Sequence, residues 1–262
     1  MSLIVLSMQV YLGDIIPTST LDWPGKVVLT VFFRGCPFRC PYCANPQFLE
    51  PDSGEPTDTE RVIAEIDKAR NFIDGVVFSG GEPLMQFAAF KTIAAHAKGL
   101  GLLVGAQTNG AYPERIGKLV EESLLDAVLL DVKAPPVPEK YLHAVGVPGR
   151  KETSDSVYGS VRLCNRLRSE GKLAYYEVRT TVFTGFSDTP EEIGAIAAEL
   201  ACDAYVIQQG RPEIAMDESV RKLVAIPRNE LSELARSVKS ERIKAVKVRT
   251  REMGDEIVSQ RS

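Results

Sequence analysis

The sequence predicts an α/β fold built on a mostly parallel sheet with helices outside it. Apolar, β-rich runs alternate with helix-period runs almost to the end of the chain. Several of the runs are continuously apolar, as strands covered on both faces are. Polar groups recur at the C-terminal ends of these runs, the face where α/β sheets and barrels gather their loops around a site.

The runs that read as strands are Val27 to Phe33, Gly75 to Ser79, Leu102 to Gln107, Ala127 to Asp131, Tyr175 to Val182, Ala204 to Gln208 and Lys244 to Arg249. Between them, Thr57 and Glu60 have capping-box spacing ahead of VIAEIDKAR. Ile193, Ile196, Ala197 and Leu200 recur at helical spacing, and Asn229 precedes Leu231, Leu234, Ala235 and Val238 in the same way. The stretch from Lys133 to Arg150, KAPPVPEKYLHAVGVPGR, is too long and too proline-rich for a tight connection and reads as a functional or mobile loop. About six βα units result. Strand count alone fits an open doubly wound sheet or a partial barrel.

A chain of 262 residues is normal for one α/β domain. With 44% hydrophobic and 25% charged residues it can bury a sizeable core. The formal charge of -4 argues against a broad phosphate-neutralising surface, so nucleic acid is not expected as a partner. The opening MSLIVLSMQVYLGDII is apolar but has no basic start and no export cleavage pattern. No run reaches the roughly 18 apolar residues that a membrane span needs. A soluble, cytoplasmic protein is expected.

Five cysteines are present, and Cys36, Cys40 and Cys43 fall together as C-x3-C-x2-C directly after the first strand. That spacing suits a metal centre rather than a disulfide framework. Soft thiolates favour iron-sulfur clusters or zinc, but a closed zinc site wants four ligands, usually in two separated pairs. There is no second pair, and the two histidines, His96 and His143, are distant from the cysteines in sequence. Three thiolates on a cluster leave one iron open, which suits catalysis. Cys164 and Cys202 lie in what reads as helical context and are expected to be buried structural thiols.

Later motifs follow at strand ends, Gly80-Gly81-Glu82-Pro83, then Thr108 and Asn109 after Gln107, then Asp131 and Lys133, and Gln208-Gln-Gly-Arg211 after the sixth strand, while the fifth strand carries Glu177 and Arg179. The two glycines would let a ligand approach backbone groups. Lys133 and Arg179 put cations at the ends of apolar runs, where an unpaired charge is costly. An anionic ligand or a carboxylate would pair them, and for Arg179 either Glu177 or Asp131 would also serve.

The cysteine spacing, with Tyr42 before the last cysteine, resembles the signature of the radical S-adenosylmethionine superfamily, and GGEP and DVK resemble its later motifs. STLDWPGK ahead of the first strand, NPQF, DVKAPP, YEVRTTV, GFSD and QQGRPE resemble, more narrowly, the activating proteins of anaerobic ribonucleoside-triphosphate reductase, from about Gly13 to Glu213. The resemblance implies one domain over 1–262 that forms a partial (β/α)6 barrel, with a core about 13–213 and a C-terminal extension 214–262. It implies a [4Fe-4S] cluster on Cys36, Cys40 and Cys43, with S-adenosylmethionine on its open iron. Gly80, Gly81 and Glu82 would recognise the methionine amino group and Lys133 its carboxylate, with Thr108, Asn109, Asp131 and Arg179 completing the cofactor site.

The same resemblance implies reductive cleavage to a 5'-deoxyadenosyl radical that takes hydrogen from a glycine of a glycyl radical enzyme, with a flavodoxin or ferredoxin-type protein as electron donor. No side chain need act as acid or base. Relatives often carry Asp where Gln107 stands, so a ligand contact by that carboxylate is not implied for this chain. Two alternatives remain open on sequence: a radical enzyme acting on a small molecule, similar to 7-carboxy-7-deazaguanine synthase, and a zinc-stabilised interaction module.

Overall fold

A computed structural model describes residues 8–147 and 152–261. The first seven residues of the apolar opening and residues 148–150 of the proline-rich stretch lie outside the described residues. The chain forms an α/β fold in two compact units, one made of 1–37, 47–108 and 114–128, the other of 38–46, 109–113 and 129–262.

The first unit carries β1 (Gln9–Val10), β2 (Leu12–Ser19), β3 (Val28–Phe33), β4 (Thr57–Asp58), α1 (Thr59–Ala69), β5 (Gly75–Gly80), α2 (Phe87–Gly99), β6 (Leu103–Thr108), α3 (Pro113–Glu121) and the start of β7 (Ala127–Asp131). β3, β5 and β6 run parallel, and β2 adds to β3 antiparallel. Their apolar continuity follows from burial on both faces. On one face Phe33 and Phe78 meet at 5.7 Å and Phe78 meets Phe90 of α2 at 4.0 Å. On the other, Thr30, Val77 and Gly105 share a row. Trp23, from the link between β2 and β3, lies over Gly105, where any Cβ would crowd its ring.

The second unit holds α4 (Pro138–Val145), α5 (Glu152–Ser169), β8 (Tyr175–Val182), α6 (Pro190–Glu199), β9 (Ala204–Gln209), α7 (Glu218–Arg221), α8 (Arg228–Ser237), β10 (Ala245–Thr250) and β11 (Gly254–Gln260). β8, β9 and β10 are parallel and β11 closes a hairpin on β10. Because side chains alternate along a strand, one face shows Glu177, Arg179, Thr181, Gln208, Lys247 and Arg249. The other shows Tyr176, Val178, Tyr205, Ile207, Val246 and Val248, all buried. Cys164 of α5 lies beside Tyr176, whose hydroxyl is buried with no hydrogen-bond partner.

All seven sequence-derived strands are present within a residue or two of their expected ends, and three expectations are corrected. The Lys133–Arg150 stretch is not simply a loop, because Pro138 opens α4 and Gly146, at φ 63°, ends it. A proline at the first helical position and a left-handed glycine just past the end are helix boundaries rather than breakers. The Thr57/Glu60 capping box does not form: Thr57 and Asp58 pair with Val10 and Gln9 as a two-strand ladder, so α1 starts after them. Cys202 lies beyond the end of α6, not on it, though it is buried as expected. The antiparallel strands β2 and β11 carry no continuous apolar run in the sequence; Gly13, Asp14 and Pro17 interrupt the first, and the second is largely exposed. No helix among the described residues is long and apolar enough to cross a membrane.

Candidate functional site

In the first unit, β3 runs out into Gly35, held at φ 94°, and then Cys36. Four backbone hydrogen bonds fix this corner: Gly35 N to Phe48 O at 2.8 Å, Cys36 N to Leu49 O at 3.1 Å, Gly81 N to Phe33 O at 2.9 Å, and Glu82 N to Gly35 O at 2.7 Å. The Gly80-Gly81-Glu82 turn is therefore laid directly on the start of the cysteine segment. A Cβ on Gly80 would overlap the carbonyl of Phe33, and one on Gly81 the carbonyl of Gly35. Backbone packing thus already demands both glycines, where sequence reasoning had them admit a ligand.

Glu82 has no solvent exposure. Its Oε1 accepts from Leu84 N at 3.1 Å, capping the turn that follows, and from Thr108 Oγ1 at 2.8 Å. Gln107 donates from Nε2 to Asp22 Oδ1 at 2.9 Å and accepts from Ser79 Oγ at 2.8 Å, while Thr30 Oγ1 donates to Asp22 Oδ2 at 2.8 Å. A carboxylate therefore stands beside Gln107 after all, supplied by the STLDWPGK segment. Asp22 was missed as a site candidate because nothing in its local pattern says that the link folds back over the sheet.

In the second unit, the cysteine segment continues as a turn in which Cys43 N donates to Cys40 O at 2.9 Å. Arg39 N donates to Val145 O at 2.9 Å, docking the turn on the end of α4. Tyr42 is buried, stacked on Phe183 at 5.2 Å and edge-on to Phe186 at 5.1 Å. Lys133 Nζ lies 5.9 Å over the Tyr42 ring and 3.6 Å from Asp131 Oδ2. Burial pushes the Cys40 thiol up to about 11, against the pull of the Lys133 charge. The Lys133 ammonium is disfavoured by burial, yet Asp131 and the Cys40, Tyr42 and Tyr141 groups hold it well above the ordinary lysine value. Asn109 Oδ1 accepts from Ala111 N at 3.0 Å and shapes the loop after β6.

Arg179 does not pair with Asp131. Its Nε donates to Glu177 Oε1 at 2.7 Å, while its Nη2 is buried with no hydrogen-bond partner. Glu177 also receives Tyr175 OH at 2.6 Å. Burial alone would raise the Glu177 carboxyl, but Arg179, Arg249 and Tyr175 hold it below the usual carboxylate range.

None of the five cysteines is in a disulfide. No three or more His, Cys, Asp or Glu side chains among the described residues converge on a point where one metal ion would sit. A cluster spreads its thiolates over separate irons and needs no such convergence. Three thiols outside any disulfide on one short segment, with a half-buried cation at Lys133 and a buried one at Arg179, fit a cluster and an anionic group. A recess of about 280 Å³ lies elsewhere, among β2, β4 and α1, and none of these motif residues lines it.

The sequence model of the radical SAM superfamily matches residues 30–200. The chain belongs to the radical SAM superfamily. It is therefore an enzyme of a family built around a [4Fe-4S] cluster and S-adenosylmethionine, and a non-catalytic zinc module is excluded. A Methanocaldococcus jannaschii protein, provisionally named a glycyl-radical enzyme activating enzyme, is 36% identical over 235 residues, covering 88% of this chain and 93% of that one. The pyruvate formate-lyase-activating enzyme of Listeria monocytogenes is 32% identical over 134 residues, 47% of this chain and 52% of its own length. A solved structure of TYW1 with a lysine-pyruvate adduct bound superposes with a TM-score of 0.56 at 15% identity, covering 87% of this chain and 77% of that one. At that identity it shares the fold alone.

Proposed function

We propose that this chain is a glycyl-radical-enzyme activase acting on a partner protein, with anaerobic ribonucleoside-triphosphate reductase as the partner. The similarity to the Methanocaldococcus protein, which runs nearly the full length of both chains, is the observation that supports this reading most. The STLDWPGK, YEVRTTV and QQGRPE segments support the choice of partner. A flavodoxin or ferredoxin-type donor in an anaerobic cytoplasm would complete the system.

In this reading Cys36, Cys40 and Cys43 hold the cluster. When bound, the cluster and S-adenosylmethionine would supply one-electron reductive chemistry for removing a hydrogen atom from a glycine of the partner. The protein's own residues position and shield. Lys133, half-buried, and Arg179, buried, are cations suited to the methionine carboxylate. The backbone of Gly80, Gly81 and Glu82, fixed against Gly35, offers rigid acceptors for its amino group. Thr108, Asn109 and Asp131, at or just past the ends of β6 and β7, would complete the cofactor site. The Tyr42, Phe183 and Phe186 rings exclude water beside the cysteine turn.

The test is anaerobic reconstitution with iron and sulfide, reduction, and electron paramagnetic resonance after mixing with the reductase. A glycyl doublet together with 5'-deoxyadenosine is expected. Cofactor cleavage without a doublet would overturn the choice of partner, and no cleavage at all would overturn the cysteine assignment.

A further inference from the structure

We infer that the C-terminal hairpin belongs to the cofactor site, with Arg249 and Asp255 as positioning residues that hold Arg179 through Glu177 and keep its Nη2 nitrogen for a carboxylate. The inference rests on the reading that Arg179 meets the methionine carboxylate. β10 and β11 lie beyond residue 200, where the family match ends.

Arg179 and Glu177 stand two residues apart on the polar face of β8. In an isolated pair, Glu177 would be free to turn and take both outer nitrogens of the guanidinium, leaving nothing for a ligand. Three further contacts prevent this. Tyr175 OH takes Oε2 of Glu177 at 2.6 Å. Arg249 Nη2, two strands away on β10, reaches Oε1 at 3.5 Å. Asp255 on β11 stands opposite Arg249 in the hairpin, grips its Nε, and accepts from its Nη2 at 2.9 Å.

The charges alternate along this chain from Arg179 to Glu177, Arg249, Asp255 and Lys247, the last standing 3.8 Å from Asp255. Three cations face two carboxylates, so one positive charge is left over. The spare hydrogen-bonding capacity falls on Arg179, only 8% exposed, whose Nε is fixed by Glu177 and whose Nη2 has no acceptor. A buried guanidinium nitrogen without a partner is costly unless something fills the position. Glu177, itself without solvent exposure, could not carry its charge on Arg179 alone and still leave Arg179 free. The hairpin supplies the second counter-ion.

The test measures the S-adenosylmethionine dissociation constant of full-length, cluster-loaded protein by equilibrium dialysis, with iron content and thermal unfolding as fold controls. Arg179→Gln, Arg249→Gln, Asp255→Asn and the Arg179→Gln/Arg249→Gln double variant are compared. Arg249→Gln is expected to weaken binding about tenfold, and the double variant to bind no more weakly than Arg179→Gln, because both changes act on one contact. Arg249→Lys, which can still reach Glu177, is expected to recover most of the loss, as a purely structural defect would not. Asp255→Asn carries the same expectation should Arg249→Gln fail to fold. Weakened binding in Arg179→Gln with unchanged binding in Arg249→Gln, or additive losses in the double variant, would overturn the positioning role. Unchanged binding in Arg179→Gln would overturn the reading of Arg179 itself.

Discussion

The backbone amide of Glu82 donates to the carbonyl of Gly35 at 2.7 Å. Through this bond the turn after β5 and the residue before Cys36 form one backbone corner, with Gly81 wedged inside it. Gly81→Ala places a Cβ on the Gly35 carbonyl, which cannot swing aside as a side chain would. We expect a loss on the order of 3 kcal/mol in urea unfolding of the cluster-free protein. A loss under about 1 kcal/mol would mean that the corner yields easily.

Cys40 and Cys164 are both buried thiols, yet their expected roles differ. Cys40→Ala should abolish cluster absorbance and 5'-deoxyadenosine formation. Cys164→Ala should keep full iron content and lose only roughly 1 kcal/mol of stability, since its thiol is buried, in no disulfide and far from the cysteine segment in sequence. Normal turnover in the first variant, or iron loss in the second, would reverse the assignment.

Asp203 accepts from Arg168 Nε at 2.6 Å, Arg168 Nη2 at 2.9 Å, Lys244 Nζ at 2.8 Å and the Tyr176 amide at 3.0 Å. Burial would raise its carboxyl, but these donors outweigh it and hold the group below the ordinary aspartate value. Its contribution is therefore full above the unfolded value of about 3.9 and is lost as pH falls through the lower folded value. Asp203→Asn should cost about 2 kcal/mol at neutral pH. The gap from wild type should shrink in chemical denaturation series taken below about pH 4, and a constant gap would contradict the assignment.

Thr108 donates to the fully buried Glu82 carboxylate at 2.8 Å. Thr108→Val removes that donor and should destabilise the protein by about 1 to 3 kcal/mol, whereas Thr108→Ser, which keeps the hydroxyl, should recover most of the loss. Equal effects of the two substitutions in thermal unfolding would show that the methyl group, not the hydroxyl, matters there.

The parallel strands were legible in the sequence because burial on both faces leaves a continuous apolar run, and the motifs were legible because they sit where such runs stop. Tertiary partners were not legible. Nothing around Asp22 announces that it will meet Gln107 across the sheet, since 85 positions separate them. The same holds for Arg249 and Glu177, 72 positions apart. Gly80 and Gly81 were recognised as important, but their reason is the carbonyls of Phe33 and Gly35, which only the fold brings near. α4 is hidden in the sequence because its one proline, Pro138, follows the loop-like Pro135 and Pro136, although it stands at a helix position that favours proline.

The outer strands carry a consequence for behaviour in a crowded solution. β2 is broken by Pro17 and by two shifts in register, and β11 pairs with β10 through a register shift and presents Asp255 and Glu256 near its start. A proline has no amide hydrogen to offer an incoming strand, and carboxylates repel their own copies. Two chains that met edge to edge would find no uninterrupted ladder to extend, so the irregularity of these strands is expected to work against stacking into fibres.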